Sequence, residues 1–146
     1  MNKIQVSITV TSTLEKVWKF WNEPEHITTW AFASNDWECP HAENDLVVGG
    51  TFITTMSAKD KSFSFDFSGT YTDIIEHKKI NYVMSKDIND PAARTCDIIF
   101  DDLGDGTIKI TETFDPENQN SAELQRNGWQ SILNNFKKAV ETTQEL

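Results

Sequence analysis

The stretch SAELQRNGWQSILNNFKKAVETT, residues 121–143, decides the fold. Ser121 is a helix N-cap residue, Glu123 stands in the first turn, and no proline follows. Leu124, Trp129, Ile132, Leu133, Phe136 and Val140 recur on the helical period, with Ala139 beside the last. They form one apolar stripe on a long helix. Gln125, Arg126, Gln130, Asn134, Asn135, Lys137, Lys138 and Glu141 take the other face. At a rise of ~1.5 Å per residue the helix is roughly 30–35 Å long, the width of a small domain. An apolar face of that length needs a broad surface to bury it, and a curved sheet made by the rest of the chain supplies one. Gly128 interrupts the helix where glycine costs ~1 kcal/mol relative to alanine. Either a strand backbone or a ligand comes close there, or the helix tolerates a weak point.

Working outward from this helix, the other elements are read from their periods. Ile4, Val6, Ile8 and Val10 alternate with polar residues as a half-buried strand. Ser12 with Glu15 makes a capping-box pattern for a helix whose Leu14, Val17, Trp18 and Trp21 share a face. Pro24 suits the first turn of a second, short helix, with Ile27 and Trp30 on one side. Residues 31–44 have no clear period and are expected to be an aromatic loop, with Phe32 and Trp37 folded back over apolar surface. Leu46 to Val48 reads as a strand entering the Gly49-Gly50 turn. Then follow Phe52, Thr54 and Met56; Phe63, Phe65 and Phe67; Tyr71 and Ile74, after a bulge expected at Gly69; Ile80, Tyr82 and Met84; Cys96, Ile98 and Phe100; and Ile108, Ile110 and Phe114. Short turns between these strands imply an antiparallel meander. The class is α+β, in the order β-α-α-β6-α, one domain over residues 1–146. A bent sheet and a straight helix do not match in shape, so a pocket is expected between them.

Composition narrows the function. With 146 residues, 38% of them hydrophobic, the chain can bury a sizeable core. A formal net charge of −10 argues against nucleic acid or an anionic membrane as partner. No apolar run approaches the ~20 residues of a membrane helix, and the N-terminus has no signal-like apolar segment. Two separated cysteines, Cys39 and Cys96, suit a reducing cytoplasm, although a single bridge between them is compatible with sequence. A homodimer is compatible with it too.

Trp18, the Glu23-Pro24-Glu25-His26-Ile27 run ending at Trp30, Asp45-Leu46 before Gly49-Gly50, Gly69-Thr70-Tyr71 and Gly128-Trp129 together resemble one family. It is the activator-of-heat-shock-protein-ATPase-like (AHSA-like) branch of the START-related, SRPBCC superfamily, the helix-grip fold. The resemblance spans essentially the whole chain. It implies the β-α-α-β6-α fold with a cavity between sheet and long helix. Relatives bind lipids, sterols or hormones, cyclise polyketides, or assist a chaperone. Two positions depart from the pattern: Leu46, Val47 and Val48 stand where a basic residue often precedes the double glycine, and Lys61 where glycine is common.

Among candidate site residues Glu112 stands out. Counting by two from Ile108 and Ile110 puts it on the buried face, where burial raises a carboxyl pKa and suits it to be a ligand anchor or general acid. The alternative is that a bulge turns it outward, or that it sits at the pocket rim and pairs with a lysine. Asp66 falls out of phase with the phenylalanines and is expected at the surface. His26, His41 and His77 show no catalytic spacing and are read as exposed. Cys39 with His41 lacks a second ligand pair, so no metal or other cofactor is expected. Cys96 reads as inert packing. Most of the five tryptophans and nine phenylalanines are core. The expected ligand-binding set is Trp30, Phe32, Trp37, Phe65, Phe67, Tyr71, Tyr82, Glu112, Trp129 and Leu133. The sequence therefore predicts binding of an apolar or amphipathic small molecule. The alternatives are a cyclase, dehydratase or hydrolase using Glu112 or His26, or a stress protein associated with a chaperone ATPase, whose binding is not expected here.

Overall fold

The computed structural model describes residues 2–143. In chain order it contains β1 (Ile4–Thr11), α1 (Leu14–Asn22), α2 (Pro24–Ile27), β2 (Trp37–Asn44), β3 (Thr51–Ala58), β4 (Ser64–Ile75), β5 (Lys79–Val83), β6 (Thr95–Asp102), β7 (Thr107–Phe114) and α3 (Ala122–Thr142). The seven strands form one antiparallel sheet in the order β1-β7-β6-β5-β4-β3-β2. β2 to β7 are a meander, and β1 joins it beside β7.

α3 is the expected long helix. The Ser121 side chain accepts a hydrogen bond from the Leu124 N–H at 3.1 Å, closing its N-terminus. Leu133, Phe136 and Val140 are fully buried among Val10, Val17, Phe20, Ile108, Ile110 and Phe114. α3 also covers the free edge of β1. Gln130 donates to the Ser7 carbonyl and Lys137 to the Thr9 carbonyl, while the Glu141 carboxylate accepts from the Thr11 N–H. Backbone groups that would otherwise invite another strand are thus occupied.

Three sequence expectations change. The first helix is capped by Thr13, whose hydroxyl accepts from the Lys16 N–H, and not by Ser12. The segment expected as an aromatic loop contains a strand, β2, whereas Leu46 to Val48 lie in the turn that follows it, with Val47 and Val48 exposed. β2 hides its period because the register shifts between Glu38 and His41, so that the buried residues, Cys39 and Ala42, fall three apart. The bulge in β4 lies between Tyr71 and Asp73, not at Gly69. Gly69 instead makes room: a Cβ there would sit 2.6 Å from the Phe52 ring and 2.7 Å from the Val83 carbonyl oxygen. Lys61, in the β3–β4 turn, takes φ 67°, a conformation that favours glycine.

Candidate functional site

The inward phase of the strands faces the N-terminal half of α3 without closing on it. A cavity of about 380 Å³ remains there, within the usual range for small-molecule pockets. Phe52, Thr54 and Met56 come from β3, Phe65, Phe67 and Tyr71 from β4, Ile80 and Tyr82 from β5, Ile98 from β6 and Glu112 from β7. Gly128, Trp129 and Ile132 of α3 face them, and Trp21, Ile27 and Trp30 close one end. The exposed lining residues Ala33, Phe65, Asn120 and Leu124 mark the mouth.

The hollow survives because its largest rings are held against its walls. Trp129 stacks on Phe114 with ring centres 3.8 Å apart and planes 11° apart, and meets Phe67 edge-on at 6.0 Å. Trp30 donates its indole N–H to the Phe20 carbonyl at 2.9 Å and packs edge-on to Phe136. Gly128 contributes empty space, since a Cβ there would meet no atom within 4 Å. No strand backbone approaches it, which leaves a ligand or a tolerated weak point in the helix as the two readings.

The polar lining is organised in three places. At one wall the Tyr71 hydroxyl donates to Asn44 Oδ1, Asn44 Nδ2 donates to the Asn22 carbonyl at 2.7 Å, and Asn22 Nδ2 to the Trp18 carbonyl at 2.9 Å. This chain ties β2 and β4 to the end of α1, and burial pushes the Tyr71 phenol far up. Near the mouth Gln125 is fully engaged, donating to the Glu117 and Asn120 carbonyls and accepting from the Glu117 N–H. The third place is Glu112, only 6% exposed, between Val6 of β1 and Ile98 of β6. Its carboxyl has no hydrogen-bond or ion-pair partner among the described residues. Burial alone pushes its pKa up to about 8. Tyr82 and Cys96 lie nearby, and burial, the largest influence on each, drives both pKa values well up, so both stay protonated at neutral pH.

A family model described as Activator of Hsp90 ATPase homolog 1-like protein matches residues 11–141. The chain belongs to this family. A solution structure from Cytophaga hutchinsonii is 47% identical, with 99% of each chain covered and a TM-score of 0.78. An AHSA1-like protein from Aeromonas hydrophila is 36% identical, covering 98% of this chain and 99% of that one, with a TM-score of 0.80. Protein CV1439 from Chromobacterium violaceum, 19% identical, covers 98% of this chain and all of that one at a TM-score of 0.83, a likeness of fold alone. No curated protein matches the chain. The family belongs to the SRPBCC superfamily, and the curved sheet with its long C-terminal helix is the helix-grip architecture.

In this Activator of Hsp90 ATPase homolog 1-like chain, Trp30, Phe65, Phe67, Tyr71, Tyr82, Glu112 and Trp129 line the cavity. Phe32, Trp37 and Leu133 do not. Phe32 packs against the core from outside the pocket, and its carbonyl accepts from Asn135 Nδ2. Trp37 sits at the far end of the sheet, about 6 Å edge-on from Phe63 and Phe65. Leu133 lies one step around the helix from Ile132 and faces the solid core. The sequence reading missed Phe52, Thr54 and Met56, although their two-residue alternation was visible, and Trp21 and Ile132, whose helical phase alone does not separate cavity from core. Asn44 was hidden with the rest of β2. His26 stacks on Phe20 at 4.0 Å, His41 pairs with Glu43 at 2.7 Å in solvent, and His77 sits in a turn beside Trp18; none lines the cavity. Cys39 donates its thiol to the His41 carbonyl, and both cysteines are free.

Proposed function

We propose that this protein binds an apolar or amphipathic small molecule between the sheet and α3, in a reducing compartment such as the cytoplasm. The observation that carries this reading is the cavity of about 380 Å³, aromatic on most sides and open at one end. Filling such a space with an apolar ligand removes hydrocarbon surface from water on both partners, at roughly 25 cal/mol per Å². The family adds support, because its fold commonly holds hydrophobic ligands.

Thermal unfolding in the presence of lipids, flavonoids and polyketides tests the proposal. A ligand at a hundred times its Kd contributes about 2.7 kcal/mol to the folded state. For a domain of this size that raises Tm by roughly 5–10 °C. If no member of the panel raises Tm and no purely hydrocarbon dye binds, the cavity is not a ligand site.

A further inference from the structure

Resting on that proposal, we propose that the ligand carries a hydrogen-bond acceptor, a ketone, quinone or ester carbonyl, which takes a hydrogen bond from the Glu112 carboxylic acid deep in the cavity. Glu112 is more than nine-tenths buried, borders the cavity, and has no partner among the described residues. The other polar groups around the pocket are largely engaged. Gln125 has spent its donors and its acceptor, and the Tyr71 hydroxyl is committed to Asn44. The Thr54 hydroxyl, with no hydrogen-bond partner among the described residues, and the Tyr82 hydroxyl, which lies beside Cys96, are further lining groups that a ligand meets.

The choice between a neutral acceptor and a cationic amine follows from the surroundings of Glu112. An ion pair buried here would need further donors for the carboxylate's remaining lone pairs, and desolvating each ion costs several kcal/mol. The cavity lining contains no lysine, arginine or histidine. The titratable groups nearest Glu112 are Tyr82 on β5 and Cys96 on β6, both kept neutral by burial. From β1 it is paired with Val6, and from α3 the cavity is lined by Leu124, Gln125, Gly128, Trp129 and Ile132, none of which titrates. Lys3, which influences Cys96, is held on the surface by Asp115 at 2.8 Å. A carboxylic acid has one O–H to give, and no group among the described residues takes it. A ligand carbonyl supplies one without introducing charge.

Three probes of one shape separate the possibilities: ethylpyrene, acetylpyrene and aminomethylpyrene, with binding read by fluorescence polarisation. Near pH 6 the wild-type protein is expected to bind acetylpyrene roughly tenfold more tightly than ethylpyrene, the scale of one buried hydrogen bond. Glu112→Leu should abolish that preference while still binding ethylpyrene. Glu112→Gln, which keeps a donor, should retain the preference and lose its pH dependence. In the wild type the preference should fade above about pH 8 as the carboxyl ionises. Equal binding of ethylpyrene and acetylpyrene would overturn this inference and leave the binding proposal standing. Preference for aminomethylpyrene near pH 6 would overturn it in favour of a cation site. Failure of all three probes to bind would overturn this inference, and the binding proposal falls with it only if the lipid, flavonoid and polyketide panel also leaves Tm unchanged.

Discussion

Replacing Glu112 by glutamine should stabilise the protein at neutral and alkaline pH relative to acid. The carboxyl's ordinary pKa of 4.5 rises to about 8 in the fold because burial disfavours the charged form. Between those values the unfolded chain has released its proton and the folded chain has kept it. The folded state therefore binds more protons, and stability falls as pH rises. For one proton the slope is about 1.4 kcal/mol per pH unit. It accumulates to roughly 3 kcal/mol by pH 7 and roughly 4–5 kcal/mol by pH 8, after which it levels off. Against a typical domain stability of 5–15 kcal/mol this is a large fraction. Glutamine keeps the shape without the titration, so the stability of E112Q relative to wild type should climb by that amount between about pH 5 and pH 8. Urea unfolding of both proteins at several pH values measures it. Carboxylates with lowered pKa values, such as Asp115 and Glu141, titrate below this window and are common to both proteins. A difference that stayed constant from pH 5 to pH 8 would show that water reaches the folded carboxyl, and the argument from burial would fail.

Other substitutions test the neighbouring walls. Gly128→Ala should stabilise α3 by about 1 kcal/mol, because its methyl meets no atom, whereas Gly128→Trp should fill the cavity and remove ligand-dependent shifts in Tm without unfolding the protein. Gly69→Ala should cost about 1–3 kcal/mol in urea unfolding: the Phe52 ring can swing into the cavity, but the Val83 carbonyl at 2.7 Å is backbone. Asp115 accepts from Lys3 at 2.8 Å and from the Thr95 N–H and hydroxyl, each at 2.9 Å, which holds its pKa down to about 2. Because Asp115 is only half-buried and its Lys3 partner is exposed, solvent screens the pair, and Asp115→Asn should cost only about 1 kcal/mol. That difference should be present above the ordinary value of 3.8 and shrink as pH falls toward 2, as acid titrations followed by circular dichroism would show.

Much of this protein can be read from alternation alone. In β7, Ile108, Ile110, Glu112 and Phe114 point inward because the sheet has one buried face and side chains alternate with a period of two. The same alternation puts the Glu112 carboxyl on the inner face unless a bulge turns it outward, and β7 pairs with β1 and β6 without a register shift. The long helix was equally plain, since its apolar stripe and N-cap are local properties of residues 121–143. β2 was not legible, because a bulge beside Pro40 breaks its period and an edge strand pairs on one side only. Phe63 and Phe65 keep perfect phase yet are 59% and 43% exposed. Phase assigns a face, but only the finite reach of α3 along the sheet decides which part of that face is covered. Leu133 and Ile132 are neighbours in sequence, and one meets packed core while the other meets a hollow. That distinction depends on sheet curvature and on the stacking of Trp129 upon Phe114, contacts between residues far apart in the chain that no local period encodes.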